Sequence, residues 1–329
     1  MDALDVRIVR QLGIQPFAMW PHHPDELKPS ALAKRLDVSV DAVKDRLRRM
    51  EREGVLHGYE IYPNFRHADF EVSSYHFRLT DEGKRARAAQ DAEKVDGVLG
   101  ITGFLGTDVC VDICYQSPQE LQRRMSLLSR LMADAPPNTF FDYPLPPVHR
   151  DLSPLDWRIL QALRGNARRS LEEVAEAIGV SARTVKRRFE RMAKEGAFDV
   201  VAKFDPGALR GYTFFLLMVS LRRGSNEREL KAILNTFADR WFFSWTPPGA
   251  ANANLYVTML SPSFGDVESL RREAETIAGV ARAECLVPVE MRMNAAWIDR
   301  LIAERASERR PEPAPAPVPE TVPKPLRPN

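Results

Sequence analysis

In residues 39–54 and again in residues 181–196, apolar side chains return every third or fourth position. Val43, Leu47 and Met50 do so in the first stretch, and Val185, Phe189 and Met192 in the second, a spacing that lines one face of an α-helix. Ser39 and Ser181 stand just before each run and suit the N-cap, where a hydroxyl accepts a bond from an orphan backbone N–H. Gly54 and Gly196 suit the stop after the last turn. The two stretches are copies of one phrase: "DVSVDAVKDRLRRMEREG" (37–54) and "GVSARTVKRRFERMAKEG" (179–196) agree at nine of 18 positions. Upstream, "LDVRIVRQL" (4–12) matches "LDWRILQAL" (155–163), and "SALAKRL" (30–36) matches "LEEVAEAI" (171–178). Each copy therefore predicts three short helices with a tight turn before the third, the helix-turn-helix pattern. The first copy carries nine extra residues within the proline-marked loop 13–29.

Beyond each helical unit the period changes from 3.6 to 2. Strands are expected near Val72–Leu79, Val98–Leu105, Val109–Tyr115 and Thr139–Tyr143, with helices near Glu82–Lys94 and Pro118–Met132. In the second copy the strands fall near Tyr212–Leu221, Trp241–Trp245, Asn254–Leu260 and Ala281–Val289, with helices near Asn226–Ala238 and Asp266–Ile277. That order is the ferredoxin-like βαββαβ unit, a sheet covered on one face by two helices. "TFFLLMVSL" is apolar on both parities, so its strand should be buried on both faces. The fold class is α+β. The expected domains are a helix-turn-helix unit (1–64), a ferredoxin-like unit (65–148), a second helix-turn-helix unit (149–206) and a second ferredoxin-like unit (207–294). A C-terminal helix (295–310) follows, with Ile298, Leu301 and Ile302 as an apolar stripe suited to association between copies. The last segment, 311–329, holds eight prolines in 19 residues and reads as an extended, disordered tail.

Composition narrows the class. With 44% hydrophobic and 28% charged residues and a net charge of +2, any basic surface must be local. Three cysteines are too few and scattered for a disulfide framework; Cys110 and Cys114, four apart on one strand, lie about 13 Å from each other. The chain reads as reducing, cytoplasmic and not membrane-bound, without a signal sequence or an apolar run long enough to span a bilayer. His22 and His23 lack a third ligand at useful spacing, so no metal is expected, and Trp241, Phe242, Phe243 and Trp245 read as sheet packing.

A helix-turn-helix unit followed by a ferredoxin-like domain resembles the Lrp/AsnC (leucine-responsive/asparagine-operon regulator) family of prokaryotic transcription factors. The match is carried by "LSPLDWRILQALRGNARRSLEEVAEAIGVSARTVKRRFERMAKEG" and "FDPGALRGY", and less tightly by "LDVRIVRQL", "SALAKRLDVSVDAVKDRLRRMEREGVLHGY" and "YPNF". Family members dimerise by facing their sheets, so the resemblance implies a tandem chain folded as an internal pseudo-dimer, a sequence-specific regulator that binds double-stranded DNA and forms higher homo-oligomers. Segment 181–194 sets six bases against one acid, whereas segment 39–52 sets five against three, with Asp41 and Asp45 standing where Arg183 and Arg187 stand. The second copy is thus the better DNA reader. Its candidate contacts are Ser181, Arg183, Thr184, Lys186, Arg187, Arg188 and Arg191, the last two to phosphate; Lys44, Arg46, Arg48 and Arg49 correspond in the first copy.

The family's effector site, often for an amino acid, uses a glycine and an acid in the turn between the second and third strands. Here Gly106 and Asp108 in one copy, and Gly249 and Asn252 in the other, occupy it with altered spacing or chemistry. Siroheme decarboxylases resemble the same architecture and hold tetrapyrrole carboxylates with a histidine- and arginine-rich stretch of the sheet domain. All six histidines (22, 23, 57, 67, 76 and 149) precede the second copy, whose corresponding strand reads "ANANLYVTML". The expectation is therefore a regulator, with no enzymatic activity and no cofactor; a decarboxylase-like enzyme and a protein-interaction scaffold are the alternatives.

Overall fold

The computed structural model describes residues 1–12, 24–133, 135–143, 145–222, 227–238, 240–245 and 254–308. Among residues singled out above, His22, His23, Gly249, Asn252 and the tail 311–329 lie outside them, as do the side chains of Trp241–Trp245. No helix among the described residues is long and apolar enough to cross a membrane.

Each helix-turn-helix unit forms where the apolar period predicts it. The first comprises α1 (Ala3–Val9), α2 (Pro29–Leu36) and α3 (Val40–Arg52); the second is built later in the chain from α6 (Pro154–Leu163), α7 (Leu171–Ile178) and α8 (Ala182–Lys194). Ser39 and Ser181 cap their helices by accepting from the Ala42 and Thr184 amides. Gly54 and Gly196 take φ of +73° and +65°, the left-handed conformation that ends a helix at little steric cost. Val43, Leu47, Met50, Val185 and Met192 are buried. The first helices start on reciprocal caps, Asp2 with Asp5 and Ser153 with Asp156, each satisfying orphan amides at both ends of the turn.

Two strands follow the helical units where none is predicted. β1 (Leu56–Pro63) pairs antiparallel with β6 (Phe198–Phe204), Tyr59 opposite Ala202 and Ile61 opposite Val200. Their sequences, "LHGYEIYP" and "FDVVAKF", are rich in aromatic and β-branched residues. Each alone is an unpaired edge, so this ribbon ties the two halves of the chain by main-chain bonds.

The first sheet domain contains β2 (Glu71–Arg78), α4 (Glu82–Ala92), β3 (Val98–Phe104), β4 (Asp108–Tyr115), α5 (Pro118–Leu131) and β5 (Pro137–Asp142). The second contains β7 (Thr213–Leu221), α9 (Glu227–Thr236), β8 (Trp241–Trp245), β9 (Asn254–Ser261), α10 (Phe264–Thr276) and β10 (Val280–Leu286). Both sheets are antiparallel and take the fourth–first–third–second order of a ferredoxin-like unit. One face of each lies under its helices: Phe77, Val109, Val111 and Ile113 with Ala89 and Leu128, and Phe215, Leu217, Val219 and Val257 with Ile233 and Leu270. The opposite faces share one cluster, in which Val72, Leu99 and Cys114 join Leu216, Met218, Tyr256 and Leu286. β7 is buried on both parities, as its unbroken apolar run requires. Arg78 on β2 also reaches Glu284 on β10, at 2.6 Å.

The expected strand Ala281–Val289 is divided. β10 pairs with β7, but β11 (Pro288–Met293) crosses to the other sheet and pairs with β3, making five strands in the order β11-β3-β4-β2-β5. Pro288 supplies the break: it donates no ladder bond and restricts the residue before it. The Val287 carbonyl accepts from the Leu105 amide at 2.8 Å, marking the point of transfer. α11 (Ala295–Ser307) then packs on α6, with Trp297 against Phe70 at a centroid distance of 5.4 Å. Ile298, Leu301 and Ile302 are buried inside the chain. This corrects the expectation that the stripe serves association between copies; an intramolecular partner already covers it.

Candidate functional sites

Two surfaces carry chemistry, the exposed face of α8 and a cavity under the β1–β6 ribbon. On α8 the buried stripe turns Arg183, Lys186, Arg187 and Lys194 outward. Lys186 lies 3.9 Å from Glu190, and among the described residues no carboxylate pairs with Arg183 or Arg187. The Thr184 hydroxyl is 2.9 Å from that of Ser181, so both take part in the cap.

Arg188 and Arg191 are placed differently from their expected role at phosphate. Arg188 donates to Asp156 and to the Ser153 hydroxyl, both at 2.9 Å, and Arg191 lies 2.8 Å from Asp156. Burial alone would raise the Asp156 carboxyl; the Ser153 hydrogen bonds and the two arginines outweigh it and hold the group below the usual carboxylate range. The pattern repeats in the first copy, where Arg46 pairs with Asp2 and Asp5, and Arg49 with Asp5. These four arginines tie the first and third helices, because a buried carboxylate on the first helix needs neutralising, a role that the expectation of DNA contacts leaves out.

The outward face of α3 is self-neutralised. Lys44 pairs with Asp41 at 3.6 Å and Arg48 with Asp45 at 3.5 Å. Its C-terminal end is further engaged by Arg168, which pairs with Glu51 at 2.8 Å while lying 4.2 Å over the Tyr59 ring.

Of the effector candidates, Gly106 (φ +89°) shapes the turn, but Asp108 is occupied. His76 Nε2 lies 2.7 Å and Arg78 Nε 2.8 Å from its carboxylate. Asp108 is therefore corrected from an ammonium-holding group to part of the ion-pair chain joining the sheets. Burial works against its ionised form, and the His76 and Arg78 hydrogen bonds keep the carboxyl low. Among the described residues no group of His, Cys, Asp and Glu is placed to hold a metal.

The cavity encloses about 380 Å³ between the ribbon, the inner face of the five-stranded sheet and β11. Phe65, Val72, Leu99, Leu145 and Val201 provide apolar walls. His57 of β1, Lys203 of β6 and Arg292 of β11 line it with basic groups. Lys203 and Arg164 both pair with Glu60, at 2.8 and 2.9 Å; burial would raise that carboxyl, and these two bonds hold it low. Arg292 is shared between Glu93 and Glu290, each at 3.0 Å. Asp112 of β4 faces the same space, and burial pushes its carboxyl up to about 6 although Ser74 and Tyr143 hydrogen-bond to it. Sequence reasoning did not single out Lys203, Arg292 or Asp112. A signal existed for Asp112, since "DVCVDICY" puts it mid-strand between apolar neighbours, on the same inward parity as Asp108.

Residues 152–193, from the start of α6 into α8, match the model of the AsnC-type helix-turn-helix domain. No curated protein matches the chain. Among solved structures, the chain is similar to the siroheme decarboxylase NirDL in co-complex with an iron-uroporphyrin III analogue, at 12% identity and a TM-score of 0.54, over 93% of this chain and 99% of that one. A second structure of the siroheme decarboxylase NirDL matches at 11% identity and a TM-score of 0.52, over 92% and 98%. AsnC of E. coli matches at 24% identity and a TM-score of 0.35, over 43% of this chain and 94% of that one.

The expectation that the chain is not an enzyme is overturned, because the architecture shared along 93% of its length is that of an enzyme. The strand "ANANLYVTML" of the second copy is not where the basic groups of this cavity lie. His57, Asp112, Lys203 and Arg292 come from four strands and meet only when the ribbon and β11 close over the first sheet.

Proposed function

We propose that the chain is an enzyme that removes CO2 from a carboxylated tetrapyrrole held in the cavity beneath the β1–β6 ribbon. The carrying observation is the cavity's composition: apolar walls, basic groups from three strands and two carboxyls, Glu60 paired to Lys203 and Arg164 and Asp112 with no such ion pair, in an architecture like that of siroheme decarboxylase NirDL. The residues suit such a substrate. A flat macrocycle gains by covering Phe65, Val72 and Leu99, while its carboxylates meet His57 and compete with Glu60 for Lys203 and with Glu93 and Glu290 for Arg292. Met291 and Met293 line the cavity yet remain 45% and 37% exposed, so they mark its mouth, where the rest of the substrate lies. In the reaction the carbon–carbon bond to the carboxylate breaks, its electron pair stays on the ring substituent, and a proton takes the place of CO2. Water is kept from that carbon by the apolar walls.

The test is to titrate the purified chain with siroheme, following the absorbance of the macrocycle and the loss of CO2 by mass spectrometry. Binding with product formation is expected; an unchanged spectrum at saturating siroheme rejects the reading.

A second reading has its own observation. Arg183, Lys186 and Arg187 lie exposed on a helix within the AsnC-type domain, which supports DNA binding through the second unit. Residues 1–148 and 149–294 are then two copies of one module, packed as an internal pseudo-dimer with one competent reader, an arrangement supported by the β1–β6 ribbon. In vitro selection from random duplexes tests it, and recovery of no enriched motif counts against it. We assign no effector to Gly106 and Asp108.

A further inference from the structure

We propose that Asp112 is the catalytic acid of this decarboxylation, delivering to the substrate carbon the proton that replaces CO2; the proposal rests on the decarboxylase reading above. Asp112 stands in the middle of β4 on the inner face, opposite Ser74 of β2 and Gly100 of β3. A Cβ at position 100 would lie 2.9 Å from Asp112 Oδ2 and 2.9 Å from the Met293 sulfur, so a larger residue would shift one of these two side chains; glycine leaves the carboxyl its notch. Ser74 and Tyr143 hydrogen-bond to the carboxyl, which favours its ionised form without offsetting burial. The group lies deep in the protein yet stays accessible from the cavity whose wall it forms.

The surrounding charges leave the carboxyl unneutralised. Lys203 of β6 is held by Glu60 of β1, and Arg292 of β11 by Glu93 and Glu290. Asp108, further along β4, takes His76 and Arg78 of β2. Among the described residues, the other titratable groups around it, His57 and Tyr62 of β1 and Cys110 and Cys114 of β4, form no ion pair with it. Burial therefore dominates and raises the carboxyl to about 6, near the operating range of a general acid. In the step, the electron pair left by departing CO2 takes the Asp112 proton; the resulting carboxylate recovers one from water at the mouth. No oxidant or reductant is needed.

The experiment uses the whole chain with siroheme and compares wild type, D112N and Y143F, measuring macrocycle binding by absorbance and CO2 release across about pH 5 to 8. For D112N, binding within about twofold of wild type and turnover lower by ~100-fold or more are expected. Wild-type turnover should fall as pH rises through about 6. Tyr143 favours the ionised carboxylate, so Y143F should move that limb to higher pH, a shift that loss of a merely structural contact does not produce. Turnover retained by D112N, or a limb unmoved in Y143F, overturns the assignment while leaving the decarboxylase reading in place. A wild-type chain that takes up no siroheme overturns both.

Discussion

The buried carboxyl of Asp112 also makes a prediction about stability that requires no substrate. Its ordinary value is 3.8 and in the folded chain it is pushed up to about 6, chiefly by burial. A carboxyl whose value is raised on folding holds its proton more tightly in the folded state. Its favourable contribution is therefore complete below about pH 4 and is lost as pH rises through about 6. A difference of about two units, at ~1.36 kcal/mol each, amounts to about 3 kcal/mol across that window. D112N keeps the volume and removes the titration, so its stability relative to wild type should climb by about 3 kcal/mol between roughly pH 4 and 7. Glu60, Asp108 and Asp156 are shifted the other way, adding stability above their ordinary range that is lost in acid, but they are common to both proteins and cancel in the difference. The assay is urea unfolding of both proteins by circular dichroism at several pH values. Only the slope of the difference matters, since a constant offset reports altered hydrogen bonding. A difference independent of pH between 4 and 7 would refute the claim that Asp112 sits uncompensated in the cavity wall.

Other perturbations follow from the same geometry. Replacing Arg183 and Lys186 with alanine should weaken binding to a selected duplex by tenfold or more, while alanine at Asp41 and Lys44, already paired to each other, should change little; equal losses in a gel-shift titration would mean that both helices read DNA. G103A places a methyl 2.3 Å from the nearly buried guanidinium of Arg85, and a melting temperature equal to wild type would show that the arginine moves freely; a loss of ~1–3 kcal/mol is expected. W297A empties the contact with Phe65 and Phe70 and should cost ~3–5 kcal/mol in thermal unfolding; a variant of unchanged stability would mean that α11 docks without that ring.

What the sequence determines by itself here is local. Ser39, Ser181, Gly54 and Gly196 mark helix ends because capping involves only residues within a turn or two, and those helices stand where the apolar period puts them. Strands β2 to β5 and β7 to β9 are likewise visible as short apolar or alternating runs, β7 as an unbroken one, and the order of elements is enough for a ferredoxin-like unit. Pairing is another matter. "LHGYEIYP" and "FDVVAKF" have strand composition, but nothing in either names the other as partner across more than a hundred residues, and β11 could not be separated from β10 without knowing which sheet edge stood open to receive it. Charge behaves in the same way. Arg183 and Arg188 are identical in sequence, yet one faces solvent and the other is drawn inward by Asp156, because a carboxylate buried on a different helix must be neutralised. Asp112 is one more strand residue until the ribbon closes above it. Only then does removal from water, which depends on every surrounding element at once, turn an ordinary carboxyl into one that keeps its proton up to about pH 6.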